Sequence, residues 1–280
     1  MLLYLAIGDA YGAGFEFASE EKVKNHNNLK MYYEHGLGIK AGNYTDDTQM
    51  SLALAELLIE GEDWIRENIA HKFVECFKRD QRLGYSEGFY QLLCSIKNGS
   101  ELLNKINPYS TRNGAAMRAT PIGYIKDIPL LLSHSAIQAA ITHDTEIGIK
   151  SAQAVALICH YFIYNLGPKE QLLDFVKEYS EFKWSDQWSG PVACCGKQTV
   201  NAILTVLSTQ NSLAGVLRES VEFCGDVDTV AAVALAAASR SQFFVNDLPS
   251  HLIDSLENEE FGLDYLKKSS RLLEEYYLSL

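Results

Sequence analysis

Two segments of the sequence are apolar on most sides of a helix, and each begins with a pair of aspartates. In the first, Met50, Leu54 and Leu57 share one helical face, and few polar residues interrupt the other faces. The second covers residues 230–238 and contains only alanine, valine and leucine. A helix that is apolar on most sides belongs in the centre of a large bundle. The two segments therefore predict a fold in which helices surround buried helices.

Helical periodicity continues through most of the remaining chain. Runs of alternating β-branched residues are missing, and neither a Walker A nor a GxGxxG sequence occurs. A chain of 280 residues lies at the upper end of what one hydrophobic core serves, and no Ser/Pro/Gly-rich stretch divides it. We therefore predict an all-α fold in a single domain spanning residues 1–280. Further helices are expected at about 64–79, 85–97, 130–141, 146–164, 169–179, 197–208, 212–223 and 261–278.

The formal net charge of the chain is −12 at pH 7. A surface this acidic repels nucleic-acid backbones and anionic lipid headgroups, so we expect neither non-specific nucleic-acid binding nor membrane binding. The apolar opening of the chain is cut short by Asp9 and no basic region precedes it, which argues against a signal peptide or a membrane span. The six cysteines form no CxxC pair, and we interpret them as reduced thiols of a cytoplasmic protein.

The two acidic segment starts are the first candidates for chemistry. They read Thr45-Asp46-Asp47-Thr48 and Gly225-Asp226-Val227-Asp228-Thr229. Aspartates also stabilise a first helical turn, so an ordinary helix start is the alternative interpretation of either segment alone. Paired carboxylates at the ends of buried helices, however, cost too much free energy unless cations meet them. Carboxylate and hydroxyl oxygens suit Mg²⁺ or Mn²⁺ rather than zinc, so the segments predict a binuclear site if they meet.

Five ordered motifs resemble those of the ADP-ribosylglycohydrolase family, and the two acidic starts resemble the family's two metal motifs. The other three are Ile7-Gly8-Asp9-Ala10-Tyr11-Gly12 running on to Glu16-Phe17, Asn113-Gly114-Ala115-Ala116-Met117-Arg118 running on to Gly123, and Thr142-His143. The similarity extends from about residue 4 to about residue 255. The resemblance implies a compact orthogonal multi-helix bundle, in agreement with the helical periodicity.

The resemblance also implies which residues hold metal and which act in catalysis. Two Mg²⁺ ions, which Mn²⁺ can replace, are expected on Thr45, Asp46, Asp47, Asp226, Asp228 and Thr229. Glu16 and Asp47 are the expected catalytic residues, with Glu16 orienting or deprotonating the attacking water. A surface carboxylate is the alternative interpretation of Glu16.

An ADP-ribose site is the next implication of the resemblance. Its expected residues are Gly84, Tyr85, Ser110, Thr111, Asn113, Gly114 and His143. Gly-containing loops at helix starts also suit phosphate for general reasons. A histidine at a helix start is as often structural, and Arg118 is expected to be a structural ion-pair residue. The Trp184–Cys195 segment has no assigned counterpart, so it either shapes acceptor specificity or only packs.

The predicted activity is magnesium-dependent hydrolysis of the N- or O-glycosidic bond between ADP-ribose and an acceptor, with ADP-ribosyl-arginine on protein as the first candidate. The expected partners are ADP-ribose and an ADP-ribosylated protein or small molecule. The alternative from another class is a catalytically inactive ADP-ribose-binding or structural member of the same fold. A prenyl-transfer enzyme would need DDxxD, which Asp46-Asp47-Thr48-Gln49-Met50 lacks, and an HD-type phosphohydrolase would need further histidines beside His143-Asp144.

Overall fold

The structure, a computed structural model, describes residues 1–278. Within this range the chain forms fifteen α-helices, two 3₁₀ helices at Thr120–Tyr124 and Lys169–Gln171, and three isolated β-bridges. The predicted all-α fold is confirmed. In the same range no helix is long and apolar enough to cross a membrane. The α-helices, in chain order, are Leu2–Ala13 (α1), Glu20–His26 (α2), Asp46–Glu60 (α3), Arg66–Arg79 (α4), Glu87–Ser95 (α5), Gly99–Lys105 (α6), Gly114–Met117 (α7), Ile128–Ala139 (α8), Glu146–Ile163 (α9), Leu172–Ser180 (α10), Gly196–Thr209 (α11), Leu213–Glu222 (α12), Asp228–Ala238 (α13), Ser250–Asp254 (α14) and Leu263–Leu278 (α15).

The two apolar segments form α3 and α13, and both lie in the interior. Every residue of α13 is buried, as is every residue of α3 except the last two. α3 contacts α1, α4 and α15, whereas α13 contacts α1, α9, α11 and α12. α13 accepts neighbours on every side because its side chains after Thr229 are apolar all round and its backbone groups are paired within the helix. α3 also buries Gln49, Ser51 and Glu56, and each of these is hydrogen-bonded to another part of the chain.

Small residues allow α1 and α13 to approach each other closely. A methyl group added to Gly8 would lie 2.3 Å from the carbonyl oxygen of Ala231. One added to Gly12 would lie 2.4 Å from the Cα atom of Asp228, at the start of α13. The end of α1 therefore lies directly beside the first turn of α13, and the chain reaches Glu16 immediately afterwards.

All eight further helices predicted from periodicity are present, with ends that differ by at most three residues from the expected ones. Four short helices, α2, α6, α7 and α14, were not predicted because four to seven residues show too little periodicity. Side-chain caps start two of them: Ser19 accepts a hydrogen bond from the N–H of Lys22, and Asn98 accepts one from the N–H of Glu101. α1 was not predicted either, because it is buried on nearly all sides and therefore has no amphipathic pattern.

We expect Gly12→Ala to destabilise the fold, because the added methyl group meets the backbone of α13 rather than a movable side chain. Overpacking of this kind costs about 1–3 kcal/mol of unfolding free energy. Gly88→Ala is the matched control: Gly88 lies in α5, and a methyl group there meets no heavy atom within 4 Å. The control should be neutral or slightly stabilising. Urea denaturation measures both, and equal stabilities would contradict the close contact between α1 and α13.

Candidate functional site

The carboxylate of Asp9, on α1, holds the start of α3. It accepts hydrogen bonds from the backbone N–H groups of Thr45 (2.9 Å) and Thr48 (3.0 Å) and from their hydroxyls (2.8 and 2.6 Å). A helix usually obtains such an acceptor from its own first residue, but the side chain of Thr45 makes no cap hydrogen bond here. Asp9 therefore binds the backbone on both sides of Asp46 and Asp47, and this fixes the position of these two aspartates at the start of α3.

The start of α13 is held by a neighbouring segment. The N–H of Val192 donates to the carbonyl of Cys224 (3.0 Å), and the carbonyl of Val192 accepts from the N–H of Asp226 (2.8 Å). Val192 belongs to the Trp184–Cys195 segment, for which the sequence suggested no definite role. This segment therefore fixes the position of Asp226.

Carboxylates from distant parts of the chain meet at the ends of α1 and α13. One carboxylate oxygen each from Glu16, Asp226 and Asp228 lies within 4.8 Å of the others. Oδ1 of Asp47 is buried and has no hydrogen-bond partner among residues 1–278. Such an unpaired oxygen costs about 1–3 kcal/mol, or more when it is charged. A hard cation would satisfy this oxygen and offset the clustered charge, so the residues present fit a metal ion.

Burial raises the pKa of Asp46, Asp47 and Asp228 well above the ordinary range of an aspartate. Neighbouring carboxylates add to the effect: Asp9 acts on the pKa of Asp46 and Asp47, and Glu16 acts on that of Asp228. Desolvation and like charge both oppose ionisation. A bound divalent cation reverses this local field and favours the ionised carboxylates.

Glu16 is held by a histidine from the loop between α2 and α3. Nε2 of His35 lies 2.7 Å from Oε2 of Glu16, and Nδ1 of the same ring accepts a hydrogen bond from the N–H of Leu37 (2.9 Å). Because Nδ1 is an acceptor, the proton of the neutral ring lies on Nε2 and is donated to Glu16. The side chains of His35 and Glu16 are only 9% and 18% exposed. This contact leaves Oε1 of Glu16 for another partner.

Asn113 connects the loop before α7 to the start of α13. The two N–H groups of its buried side-chain amide are shared among three acceptors, Oδ2 of Asp226 (3.1 Å) and the hydroxyls of Thr229 (3.1 Å) and Thr199 (3.2 Å). Asn113 was predicted to bind substrate, and it does line the cavity described below. In this structure, however, its amide orients two of the predicted metal residues.

A cavity of about 610 Å³ opens onto the carboxylates. Its volume is typical of sites for small organic ligands. Two predicted residues lie outside its lining: the hydroxyl of Thr45 donates to Asp9, and the carbonyl of Thr111 accepts from the N–H of Gly196 (3.1 Å). The predicted residues that do line it are Glu16, Asp46, Asp47, Gly84, Tyr85, Ser110, Asn113, Gly114, His143, Asp226, Asp228 and Thr229. Lining residues that were not predicted include Phe17, Arg112 and Cys194.

Gly84 and Tyr85 close the cavity beside α3. The backbone at Gly84 has a φ of +112°, and an added methyl group would lie 2.3 Å from Oδ1 of Asp46. Only glycine combines this conformation with this approach. The hydroxyl of Tyr85 donates to Oε1 of Gln49 (2.7 Å), so it is occupied within the protein. The aromatic ring of Tyr85 is therefore the part of this side chain that can contact a ligand.

Arg118 corrects one expectation, because it forms no ion pair with any carboxylate among residues 1–278. Its guanidinium donates to the side chain (2.5 Å) and the carbonyl (2.9 Å) of Gln138 and to the hydroxyl of Thr142 (2.8 Å). It also lies 4.6 Å above the ring of Phe73, where the ring face attracts a cation. The acceptors around Arg118 are amide and hydroxyl oxygens, which is why the predicted ion pair is wrong.

His143 lies next to this arrangement and lines the cavity. Its Nδ1 atom is 2.7 Å from the hydroxyl of Thr142. Burial, together with the positive charges of Arg118 and Arg112, lowers the pKa of His143 to about 3. The ring is therefore neutral at physiological pH.

Asp9 and His35 are supporting residues to which the sequence analysis assigned no role in the site. Asp9 is the one charged residue in the apolar sequence of α1. A lone charge in such a helix needs partners, so the sequence did contain a usable signal for it. His35 offered none, because no spacing or composition links a histidine in a loop to Glu16.

The family model described as ADP-ribosylglycohydrolase matches residues 1–277. The chain is 28% identical to an ADP-ribosyl-[dinitrogen reductase] glycohydrolase of Rhodospirillum rubrum, over 91% of this chain and 88% of that protein. It is 24% identical to the ADP-ribosylarginine hydrolase Tri1 of Pseudomonas putida (strain GB-1), over 91% and 72%. A solved structure titled "ADP-ribosylglycohydrolase-related protein complex" has a TM-score of 0.74 at 21% identity and covers 99% of this chain and 95% of its own. The solved structure confirms the predicted fold.

Because the pKa of His143 is lowered, we predict that the free energy of unfolding decreases at acidic pH. Between pH 6.5 and about 3 the folded chain binds fewer protons at this ring than the unfolded chain does, so stability falls as the pH falls. Urea denaturation at pH 7 and pH 5 should show that the wild type loses about 2 kcal/mol more than His143→Gln. Equal losses in the two proteins would mean that the folded ring titrates normally.

Proposed function

Because the chain belongs to the ADP-ribosylglycohydrolase family, we propose that it is a magnesium-dependent hydrolase that releases ADP-ribose from an ADP-ribosylated acceptor. The observation that carries the proposal is the meeting of Glu16, Asp226 and Asp228 at a cavity that Asp46 and Asp47 also line. An arginine side chain on a protein is the proposed acceptor, supported by the relative named as an ADP-ribosylarginine hydrolase. The free cysteines Cys76, Cys94, Cys159, Cys194, Cys195 and Cys224 support a reducing, cytoplasmic setting.

We propose that two Mg²⁺ ions, or Mn²⁺ in their place, are held by Thr45, Asp46, Asp47, Asp226, Asp228 and Thr229. The donor set supports this, since all six offer hard oxygen atoms and none offers nitrogen or sulfur. The hydroxyl of Thr45 gives its proton to Asp9, which keeps lone pairs on that oxygen for a cation. When bound, the ions would supply a positive template for the ribose hydroxyls and polarise the water.

Glu16 is the proposed base for the attacking water. Hydrolysis at the anomeric carbon passes through an oxocarbenium-like transition state. A base placed beside the attacking water accepts a proton from it as the water bonds to that carbon. His35 occupies Oε2 of Glu16, so Oε1 is the oxygen that accepts the water proton. A base that is itself held by a second residue keeps its orientation while the substrate changes.

The remaining cavity residues are proposed to bind the parts of ADP-ribose that do not react. These residues line the cavity, and Gly84 lies beside the start of α3: Ser110, Asn113, Gly114, His143, Gly84 and Tyr85. Thr111 is assigned to the same group through its loop, although it does not line the cavity here. Binding energy from the diphosphate and adenosine can be used to position the reacting ribose. The acidic surface disfavours nucleic acid as a competing partner.

Metal binding is the first test. We expect metal-stripped protein to take up two Mg²⁺ per chain in calorimetry and to gain melting temperature, because an ion that binds only the folded state stabilises it by mass action. Asp47→Asn and Asp228→Asn should each weaken binding strongly, since they remove one negative charge without changing shape. Asp254→Asn is the charge-matched control at an exposed position of α14. A protein that binds neither Mg²⁺ nor Mn²⁺ and keeps its melting temperature contradicts the metal assignment.

Activity is the second test, with free ADP-ribose measured after incubation with Mg²⁺ and ADP-ribosyl-arginine peptide. Glu16→Gln should lower the rate of the chemical step by about 10²–10⁴-fold, as for a lost general base, and leave metal-dependent melting in place. His35→Phe should lower the rate through a misoriented Glu16, whereas His35→Gln retains an N–H donor and should restore most of it.

The outcomes separate the alternatives. If Glu16→Gln keeps the full rate, another group must be the base. If His35→Phe keeps the full rate, His35 does not position Glu16. If the wild type binds ADP-ribose but releases none from arginine, serine, nucleobase or small-molecule acceptors, an inactive ADP-ribose-binding protein becomes the better description.

A further inference from the structure

Arg118 is the largest side chain that is fully buried in the described structure, and its chemistry is not used by the hydrolytic step. Its side chain is 1% exposed and yet lies at the cavity wall. Burial lowers the pKa of Arg118 to about 9, so it remains charged at pH 7. A buried charge with no carboxylate partner is costly unless hydrogen bonds satisfy it, so the acceptors around Arg118 are needed to keep it charged.

The direction of the hydrogen bonds follows from the chemistry of the donors. A guanidinium only donates, so Nη2 of Arg118 gives a proton to the hydroxyl oxygen of Thr142 (2.8 Å). The hydroxyl of Thr142 has one proton of its own. Among residues 1–278 the acceptor within reach of that proton is Nδ1 of His143, 2.7 Å away. Nδ1 therefore accepts, and the proton of the neutral ring lies on Nε2.

Contacts with the backbone fix the position of Nε2 of His143. The N–H groups of Thr142 (3.1 Å) and His143 (2.7 Å) both donate to the carbonyl of Ala139, at the end of α8. On the other side, Cε1 and Nε2 of His143 lie against Gly114: a methyl group added there would be 2.9 and 3.2 Å from them. The ring is thus confined between the end of α8 and the start of α7.

We propose that Arg118 and Thr142 are positioning residues that hold His143 as a neutral ring with its N–H at Nε2, a fixed donor at the cavity wall for an oxygen atom of an anionic ligand. Through the hydrogen bonds from Arg118 to Thr142 and from Thr142 to His143, Arg118 orients the ring of His143 without touching the ligand itself. The opposite tautomer would place a lone pair at Nε2 and would repel the same oxygen. The identity of the ligand as a diphosphate ester rests on the proposed function, whereas the state of the ring does not.

Nuclear magnetic resonance of the ¹⁵N-labelled full chain tests the state of the ring directly, with His143→Gln used to assign its signals. We expect the wild-type ring to be neutral and protonated at Nε2 at pH 7. Thr142→Val has nearly the same shape but no hydroxyl proton, so Nδ1 loses its donor and the Nδ1–H form should become populated. Thr142→Ser keeps the hydroxyl and should keep the wild-type tautomer. Melting temperatures of both variants establish that they are folded.

Calorimetry with ADP-ribose then tests what the fixed donor does. Thr142→Val should bind about 10–100-fold more weakly than the wild type, as for one lost hydrogen bond to a charged group, and Thr142→Ser should bind nearly normally. A wild-type ring that carries its proton on Nδ1, or is cationic at pH 7, overturns the proposal. So does an unchanged tautomer in folded Thr142→Val. If the expected tautomers are found but wild-type protein does not bind ADP-ribose, the positioning stands and the ligand assignment from the proposed function fails.

Discussion

The carboxylate of Asp9 connects two helices that are buried on nearly all sides, and it does so through four hydrogen bonds. Burial raises the pKa of this carboxyl, and the four donors act in the opposite direction. Because Asp9 binds α1 to the start of α3, and Gly12 brings the same helix against the start of α13, α1 aligns both acidic turns at one place. The proposed metal residues therefore depend on a helix that contributes none of them.

The lining of the resulting cavity contains groups of both charges. Carboxylates of α3 and α13, together with Glu16, form an acidic cluster that favours a cation. Arg118 and Arg112 also line the cavity, and both act on His143 strongly enough to lower its pKa. A ligand that carries both hydroxyls and an anionic group matches this lining.

Much of this arrangement could be predicted from sequence, and the parts that could not share a physical reason. The all-α fold and the buried α3 and α13 follow from periodicity, since a helix that is apolar on most sides has few alternatives. The paired aspartates indicated a cation site because burying them unpaired is so costly. The role of His35 and the neutral surroundings of Arg118 depend instead on which loops meet in three dimensions. When two residues are far apart in the sequence and no helical or strand spacing links them, a hydrogen bond between them cannot be predicted from the sequence around either one.

The contact between α1 and α13 also determines when the molecule can become functional during its synthesis. These helices lie near opposite ends of the chain, as do Leu2 and Ser270, which are joined by a hydrogen bond across 268 residues. At about 5–20 residues per second, on the order of 10–40 s separate the emergence of α1 from that of α13. Throughout this interval the face of α1 that packs against α13 is uncovered, although α3 can already pack on α1, and it can bind chaperones or other nascent chains. The aspartates of α13 therefore join those of α3 late in synthesis, and the uncovered face of α1 is prone to aggregation until they do.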